Sequence, residues 1–115
     1  MNEKIYRTAD VYFKDRLAGS LAETDRGYYF LYEENFIKTG RPISVSLPLR
    51  KEPFEAKELF SFFQGLIPEG WYLELVCKTQ KIDRSDQFGL LLTTTTTDAI
   101  GAVVVRQRKI WMKNF

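Results

Sequence analysis

The chain has no histidine, so neither a Ser-His-Asp nor a Cys-His catalytic arrangement can be assembled from it. It has one cysteine, Cys77. With no histidine to join it, the usual zinc sites are excluded, and no intrachain disulfide can form. Cys77 reads as a small buried hydrophobe. The seven glycines are scattered singly, so no Gly-rich phosphate loop is present. No run of about 18 apolar residues suggests a membrane span. The opening MNEKIYRTAD lacks the apolar core of a signal peptide. A cytoplasmic protein is expected, with no metal, no cofactor and no enzymatic activity of its own.

What is present suits one ordinary folded domain: 115 residues, 44% hydrophobic and 28% charged. The net charge of +2 is unevenly spread. The last ten residues, RQRKIWMKNF, hold four basic residues and no acid, and the other 13 basic and 15 acidic residues leave 1–105 at −2. A domain built for nucleic acid is usually basic across a face, so no specific nucleic-acid binding is expected. Residues 107–115 read as a basic tail on a domain of residues 1–106, and their deletion is expected to leave the fold intact. One alternative keeps a small nucleic-acid binder in view. Arg106, Arg108, Lys109 and Lys113 are interleaved with Trp111 and Phe115, and aromatics among cations suit stacking on bases.

The hydrophobic pattern changes period along the chain. Val11 and Phe13 alternate with Tyr12, which is strand periodicity. Lys14-Asp15-Arg16 is a turn, apolar character resumes over Leu17 to Ala22, and Asp25-Arg26-Gly27 is a second turn. Tyr28 to Tyr32 is the most strand-like run. Glu33 to Gly40 is irregular or one helical turn, with Glu33 and Glu34 on solvated surface. Ile43 to Leu47 alternates again, with Ile43, Val45 and Leu47 inward and Ser44 and Ser46 outward. From Phe54 to Ile67, the spacing of Leu59, Phe62, Phe63 and Leu66 is one face of a helix, ended by Pro68 and Gly70. A second helix is expected over Trp71 to Thr79 and a third over Ser85 to Leu92, with Asp83 or Ser85 as its N-cap. Ile100 to Val105 is a closing strand. Phe62, Phe63, Tyr28 and Phe30 are expected in the core. The fold class is α+β: a small antiparallel β-meander with a closing C-terminal strand, packed with two or three short helices.

The segments VYFKDRLAGSL, PISVSLPL, FFQGLIPEG and DAIGAVVV occur in an order that resembles the N-terminal subdomain of HipA-type serine/threonine kinase toxins. The matching positions are Ser44, Ser46, Leu47, Pro48 and Leu49, then Phe62, Phe63, Leu66, Ile67, Pro68, Glu69 and Gly70, then Asp98, Gly101 and Ala102. The resemblance spans about residues 9–106. The chain stops where the kinase lobes of that family would start, so it is similar to HipS-like antitoxins, stand-alone versions of the subdomain. That resemblance implies a partner, a HipT-like kinase toxin that phosphorylates an aminoacyl-tRNA synthetase. It also implies assembly with a HipB-like DNA-binding repressor. A non-inhibitory accessory subunit of a HipA-like kinase fits the same residues, as does a fragment of a full-length HipA-like gene. The family usually carries a glycine just before the Asp of its D-x-x-G-A segment, whereas this chain carries Thr93 to Thr97. Since β-branched residues tolerate positive φ poorly, a longer or reshaped turn is expected there.

The stretch LIPEGWYLE singles out a surface. On a helical wheel begun at Trp71, Leu75 falls at about 40°, and the apolar arc centres between Tyr72 at about 100° and Val76 at about 140°. Trp71 therefore lies at the edge of the arc, beside charged residues, directly after a Pro-Glu-Gly loop. Large aromatics in such rim positions are frequent interface anchors. Glu69, Gly70, Trp71 and Tyr72 are the expected partner-binding residues.

Overall fold

The structure, a computed structural model, describes residues 4–97 and 103–108. Strands β1 (Ile5–Phe13), β2 (Arg16–Thr24) and β3 (Gly27–Tyr32) form an antiparallel meander. After α1 (Glu34–Thr39) and a long irregular segment, β4 (Phe54–Ala56) pairs with β3. Helices α2 (Ser61–Gln64), α3 (Gly70–Gln80) and α4 (Gln87–Thr97) follow, and β5 (Val103–Gln107) closes on β1. The result is a five-stranded antiparallel sheet of order β4-β3-β2-β1-β5 with four helices, the α+β architecture expected.

Local chemistry accounts for the meander. The β1–β2 loop is only Lys14-Asp15, both at positive φ (49° and 68°), the geometry that matches the twist of a tight hairpin. The β2–β3 loop is closed by Thr24, whose hydroxyl donates to the Gly27 carbonyl (3.1 Å) and accepts the Arg26 N–H (3.1 Å). A register shift between Val11 and Tyr12 leaves Gly19 opposite Val11. A Cβ on Gly19 would lie 2.4 Å from the Leu31 carbonyl oxygen and 3.0 Å from the Phe30 ring, so no side chain fits there without moving β3.

One face of the sheet carries the core. Ala9, Val11, Leu21, Phe30 and Val105 form one buried cluster with Phe36 of α1, Phe63 of α2, and Phe88 and Leu91 of α4. Its aromatics meet both edge-on or tilted, as Phe30 and Tyr32 at 4.8 Å, Phe62 and Phe63 at 5.1 Å and Phe30 and Phe63 at 5.7 Å, and stacked, as Tyr32 and Phe36 at 6.0 Å. Tyr28 and Phe62 pack against the cluster while remaining partly exposed. On the opposite face Leu17 and Leu31 are exposed.

Several expectations are corrected. Residues 43–47 are a turn, not an alternating strand. Leu47 N–H bonds the Ser44 carbonyl (3.0 Å), and Ile43 and Leu47 are buried while Val45 is 98% exposed. The alternation arises because the buried Tyr32 hydroxyl accepts Ile43 N–H (3.1 Å) and donates to the Leu47 carbonyl, pinning both ends of the turn inward. The helix expected over 54–67 is a single turn. Phe54–Ala56 is taken by β3, and the helical spacing of Leu59, Phe62, Phe63 and Leu66 survives as α2 followed by two tight turns, Leu66 N–H to Phe63 O and Ile67 N–H to Gln64 O. Glu33 is not simple solvated surface, because its carboxylate accepts the Phe36 N–H (3.2 Å) and caps α1. Cys77 is half-buried rather than buried.

Helix α4 is longer than expected and is capped one step later. Asp86, not Asp83 or Ser85, accepts the Gly89 N–H (3.1 Å), whereas Asp83 binds the N–H and hydroxyl of Ser85. Asp86 also takes two bonds from the Arg7 guanidinium (2.7 and 3.2 Å), and Arg7 donates two more to Glu23 (2.7 and 3.0 Å) while lying over Phe88. These contacts fasten the start of α4 to β1 and β2. The hydrogen bonds from Arg7 hold the Asp86 carboxyl below its ordinary pKa of 3.8, against the opposing effect of burial. A depressed pKa means that the folded state binds fewer protons than the unfolded one. The stabilisation is then complete above the ordinary value and is lost as pH falls through the lowered one. Asp86→Asn is expected to be about 1 kcal/mol less stable near neutral pH, with the deficit shrinking below about pH 4. Denaturant titrations at several pH values measure it, and a constant deficit would contradict the assignment.

The threonine run is helical, and the longer or reshaped turn expected beside Asp98 falls outside the described residues. Thr93 to Thr97 lie within α4, and residues 98–102, where Asp98, Gly101 and Ala102 fall, are outside the described residues. The Thr94 hydroxyl bonds the Leu90 carbonyl (2.8 Å). Thr95 Oγ1 lies 2.8 Å from the Leu91 carbonyl and 3.1 Å from the Val105 carbonyl, and accepts the Val105 N–H at 3.0 Å. The buried Thr95 hydroxyl thus occupies the outward N–H of Val105 on the edge strand β5, a group that would otherwise invite pairing.

The body also reaches past residue 106. Gln107 pairs with Ala9, Arg108 N–H bonds the Thr8 carbonyl (3.0 Å), and the Arg108 guanidinium binds Asp10 and Ser20 Oγ (2.8 Å). Deletion of residues 107–115 is therefore expected to lower stability by about 1 to 3 kcal/mol, contrary to the sequence expectation. Thermal unfolding of the truncated chain, beside Arg108→Ala, checks this, and an unchanged Tm would contradict it.

Candidate partner-binding site

The expected binding residues sit at the start of α3. Glu69 is extended (φ −126°, ψ 172°) and offers its helix no side-chain cap bond. Gly70 has φ +67°, and a Cβ there would meet nothing within 4 Å. The glycine is thus required by backbone conformation rather than by crowding. This left-handed residue turns the chain abruptly from Pro68 into the helix and puts Trp71 on its first turn.

Trp71 is 76% exposed, and its ring meets that of Tyr72 edge-on at 6.0 Å. Leu75, one turn further along the same face, is also exposed, whereas Val76 is buried and Tyr72 and Leu73 are half-buried. The face seen on the wheel is therefore split: Val76 turns to the body, and Trp71 with Leu75 turns to water. Tyr72 also lines a cleft of about 210 Å³, floored by residues 65–68 and by Thr94 and Thr95. An exposed tryptophan beside an apolar cleft is an arrangement that suits protein association more than small-molecule chemistry. Glu69 and Gly70 are exposed and flank Trp71 in sequence. Among the described residues, no group of three or more His, Cys, Asp or Glu is placed to hold a metal ion. No helix among them is long and apolar enough to cross a membrane.

The cations of the alternative nucleic-acid surface are divided. Arg106 lies over the Tyr12 ring at 5.4 Å and Arg108 is held by Asp10, so both are engaged on the sheet. Lys109, Trp111, Lys113 and Phe115 are outside the described residues. Sequence reasoning missed Val45, which it placed inward. The signal for a turn was present in the flanking Pro42 and Pro48 and in the Ser-x-Ser spacing. It also passed over Leu75, although the wheel sets that residue beside Trp71.

Sheet order and helix placement together define a small α+β domain, with the first turn of α3 exposed at its edge. Family comparison makes this specific: the sequence profile described as HipA N-terminal domain matches residues 9–106, and the chain belongs to that family. The matched portion is the N-terminal domain, not the kinase domain. A solved structure of the N-terminal domain of HipA toxin superposes with a TM-score of 0.71 at 33% identity, covering 95% of this chain and 98% of that one. An uncharacterised protein of Haemophilus influenzae is 34% identical over 105 residues, covering 91% of this chain and 96% of its own length. Y4mE of Sinorhizobium fredii, a proposed kinase, is 31% identical over 88 residues, which are 74% of this chain but 21% of that protein.

Proposed function

We propose that this chain is the antitoxin of a tripartite toxin–antitoxin system, binding a HipT-like serine/threonine kinase toxin and inhibiting it in the cytoplasm, within a complex that includes a HipB-like repressor. The observation that carries the reading is Trp71. A tryptophan 76% exposed on the first turn of α3, in a domain of the HipA N-terminal family, supports the reading, because exposed aromatics of this kind are frequent interface anchors. Two further facts support it. The Haemophilus relative has nearly the same extent as this chain, and the kinase relative is matched over only 21% of its length. Inhibition then comes from occupancy of the kinase, with Glu69, Gly70, Trp71 and Tyr72 at the contact.

The test is co-expression with the HipA-family kinase of the same genome, followed by purification of the complex and a phosphotransfer assay. The expected result is a stable complex in which phosphorylation of the kinase's target is suppressed and growth is restored. A complex with unchanged or raised kinase activity would instead make the chain an accessory subunit. No complex, together with a salt-dependent DNA gel shift by the chain alone, would favour nucleic-acid binding.

A further inference from the structure

The face of the sheet turned away from the core holds a cleft of about 420 Å³, lined by Leu17 and Leu31 of the sheet and by Ile37 of α1. Leu17 and Leu31 are exposed. Apolar side chains gathered in a concavity are a stronger sign of a docked partner than apolar residues scattered singly. Ser20, Glu33, Glu34 and Lys51 complete the lining. Two carboxylates against one ammonium leave the cleft net negative. Glu33 turns one oxygen to the Phe36 N–H, and Glu34 is exposed.

Arg108, the last described residue, reaches this cleft. Its guanidinium donates to Ser20 Oγ (2.8 Å) and to Asp10, which pairs with Ser20 on the same face. Its backbone N–H still bonds the Thr8 carbonyl (3.0 Å), so residue 109 starts beside β1. At that exit Thr8 Oγ1 is buried and makes no hydrogen bond among the described residues, which leaves a polar group for the continuing backbone to satisfy. With β1 between them, β5 and β2 are two strand spacings apart, about 10 Å. Three further residues span up to about 10 Å, and seven span up to about 23 Å. Residues 109–115 lie outside the described residues, and their sequence, KIWMKNF, has four large apolar side chains, two lysines and no acid. Trp111 is the third residue past Arg108, at the chain length that brings its ring to the cleft. An occupant on the same chain also outcompetes one from another molecule, because so short a tether sets an effective concentration on the order of mM.

We propose that residues 109–115 fold back over this face of the sheet, seating Trp111 against Leu17, Leu31 and Ile37 with Lys113 beside Glu34. The proposal stands apart from the kinase reading. It makes the basic tail part of the domain surface rather than an arm for nucleic acid, and it leaves Trp71 as the tryptophan free to dock. The test uses the full chain carrying Trp71→Phe, in which Trp111 is the sole tryptophan. Its emission and its quenching by acrylamide are compared with those of the peptide KIWMKNF, before and after Leu31→Glu, with folding checked by circular dichroism. The expected result is emission at shorter wavelength and weaker quenching than in the peptide, both reverting to the peptide's values on Leu31→Glu. Leu17→Glu carries the test if Leu31→Glu fails to fold. Peptide-like emission and quenching before Leu31→Glu overturn the proposal, and shielding that survives both substitutions overturns it by seating the tail elsewhere. Shielding that grows with protein concentration would replace the chain's own tail by that of a second copy. An unshielded Trp111, together with kinase affinity lost on Leu31→Glu in the chain that keeps Trp71, would assign the cleft to the partner instead.

Discussion

Phe63→Ala is expected to destabilise the domain by about 3 to 5 kcal/mol, the range for emptying a buried phenylalanine site. Phe63 is fully buried and its ring touches three others: Phe62 at 5.1 Å, Phe30 at 5.7 Å and Phe60 at 6.3 Å. It stands on α2, a single turn whose neighbours are the sheet and α4. Phe30 cannot readily move into the vacated space, because its ring is already held against Tyr32 at 4.8 Å and Phe54 at 6.5 Å. For a domain whose whole stability is about 5 to 15 kcal/mol, the loss is a large fraction. The measurement is a denaturant titration, with Phe63→Leu beside it as the variant that keeps most of the volume and most of the stability. A loss under about 1 kcal/mol would mean that the core is held elsewhere.

Phe63 was legible as core because its helical spacing with Leu59, Phe62 and Leu66 reflects a real apolar face, although only one helical turn of it forms. The meander was equally legible, since β1 to β3 announce themselves by alternation and by the polar turns at Lys14-Asp15 and Asp25-Arg26. What could not be read locally depends on partners distant in sequence. The Tyr32 hydroxyl converts 43–47 from an apparent strand into a turn across a separation of 11 residues. Arg7 and Asp86, separated by 79 residues, fix where α4 begins. Thr95 is legible as β-branched, but its service to Val105 depends on β5 returning beside α4. For the candidate site the balance differs. The Gly70 turn and the Trp71 edge position follow from sequence alone, because conformation and helical phase are local properties. The exposure of Val45 does not, because it is set by what holds the turn's two ends.

Trp71→Ala is expected to have the opposite signature to Phe63→Ala. The side chain is 76% exposed, so its removal takes away little packing within the domain, and the variant is expected to unfold at nearly the wild-type temperature. The effect falls instead on association. A tryptophan seated in a partner's pocket typically contributes about 2 kcal/mol or more to binding, equivalent to a loss of at least about 30-fold in affinity for the kinase. Gly70 holds the ring in place through its left-handed φ of +67°, so Gly70→Ala is expected to weaken binding as well, by redirecting the start of α3 rather than by removing contact area. Trp71→Phe is expected to fall between wild type and alanine, since it keeps an aromatic ring but less of its area. Titration of the kinase with each purified variant, paired with thermal unfolding and with growth on co-expression, separates the outcomes. Lost affinity and lost neutralisation at unchanged Tm assign Trp71 to the interface. A Trp71→Ala domain that unfolds makes the residue part of the fold, and one that binds and neutralises like the wild type places the anchor elsewhere on the surface.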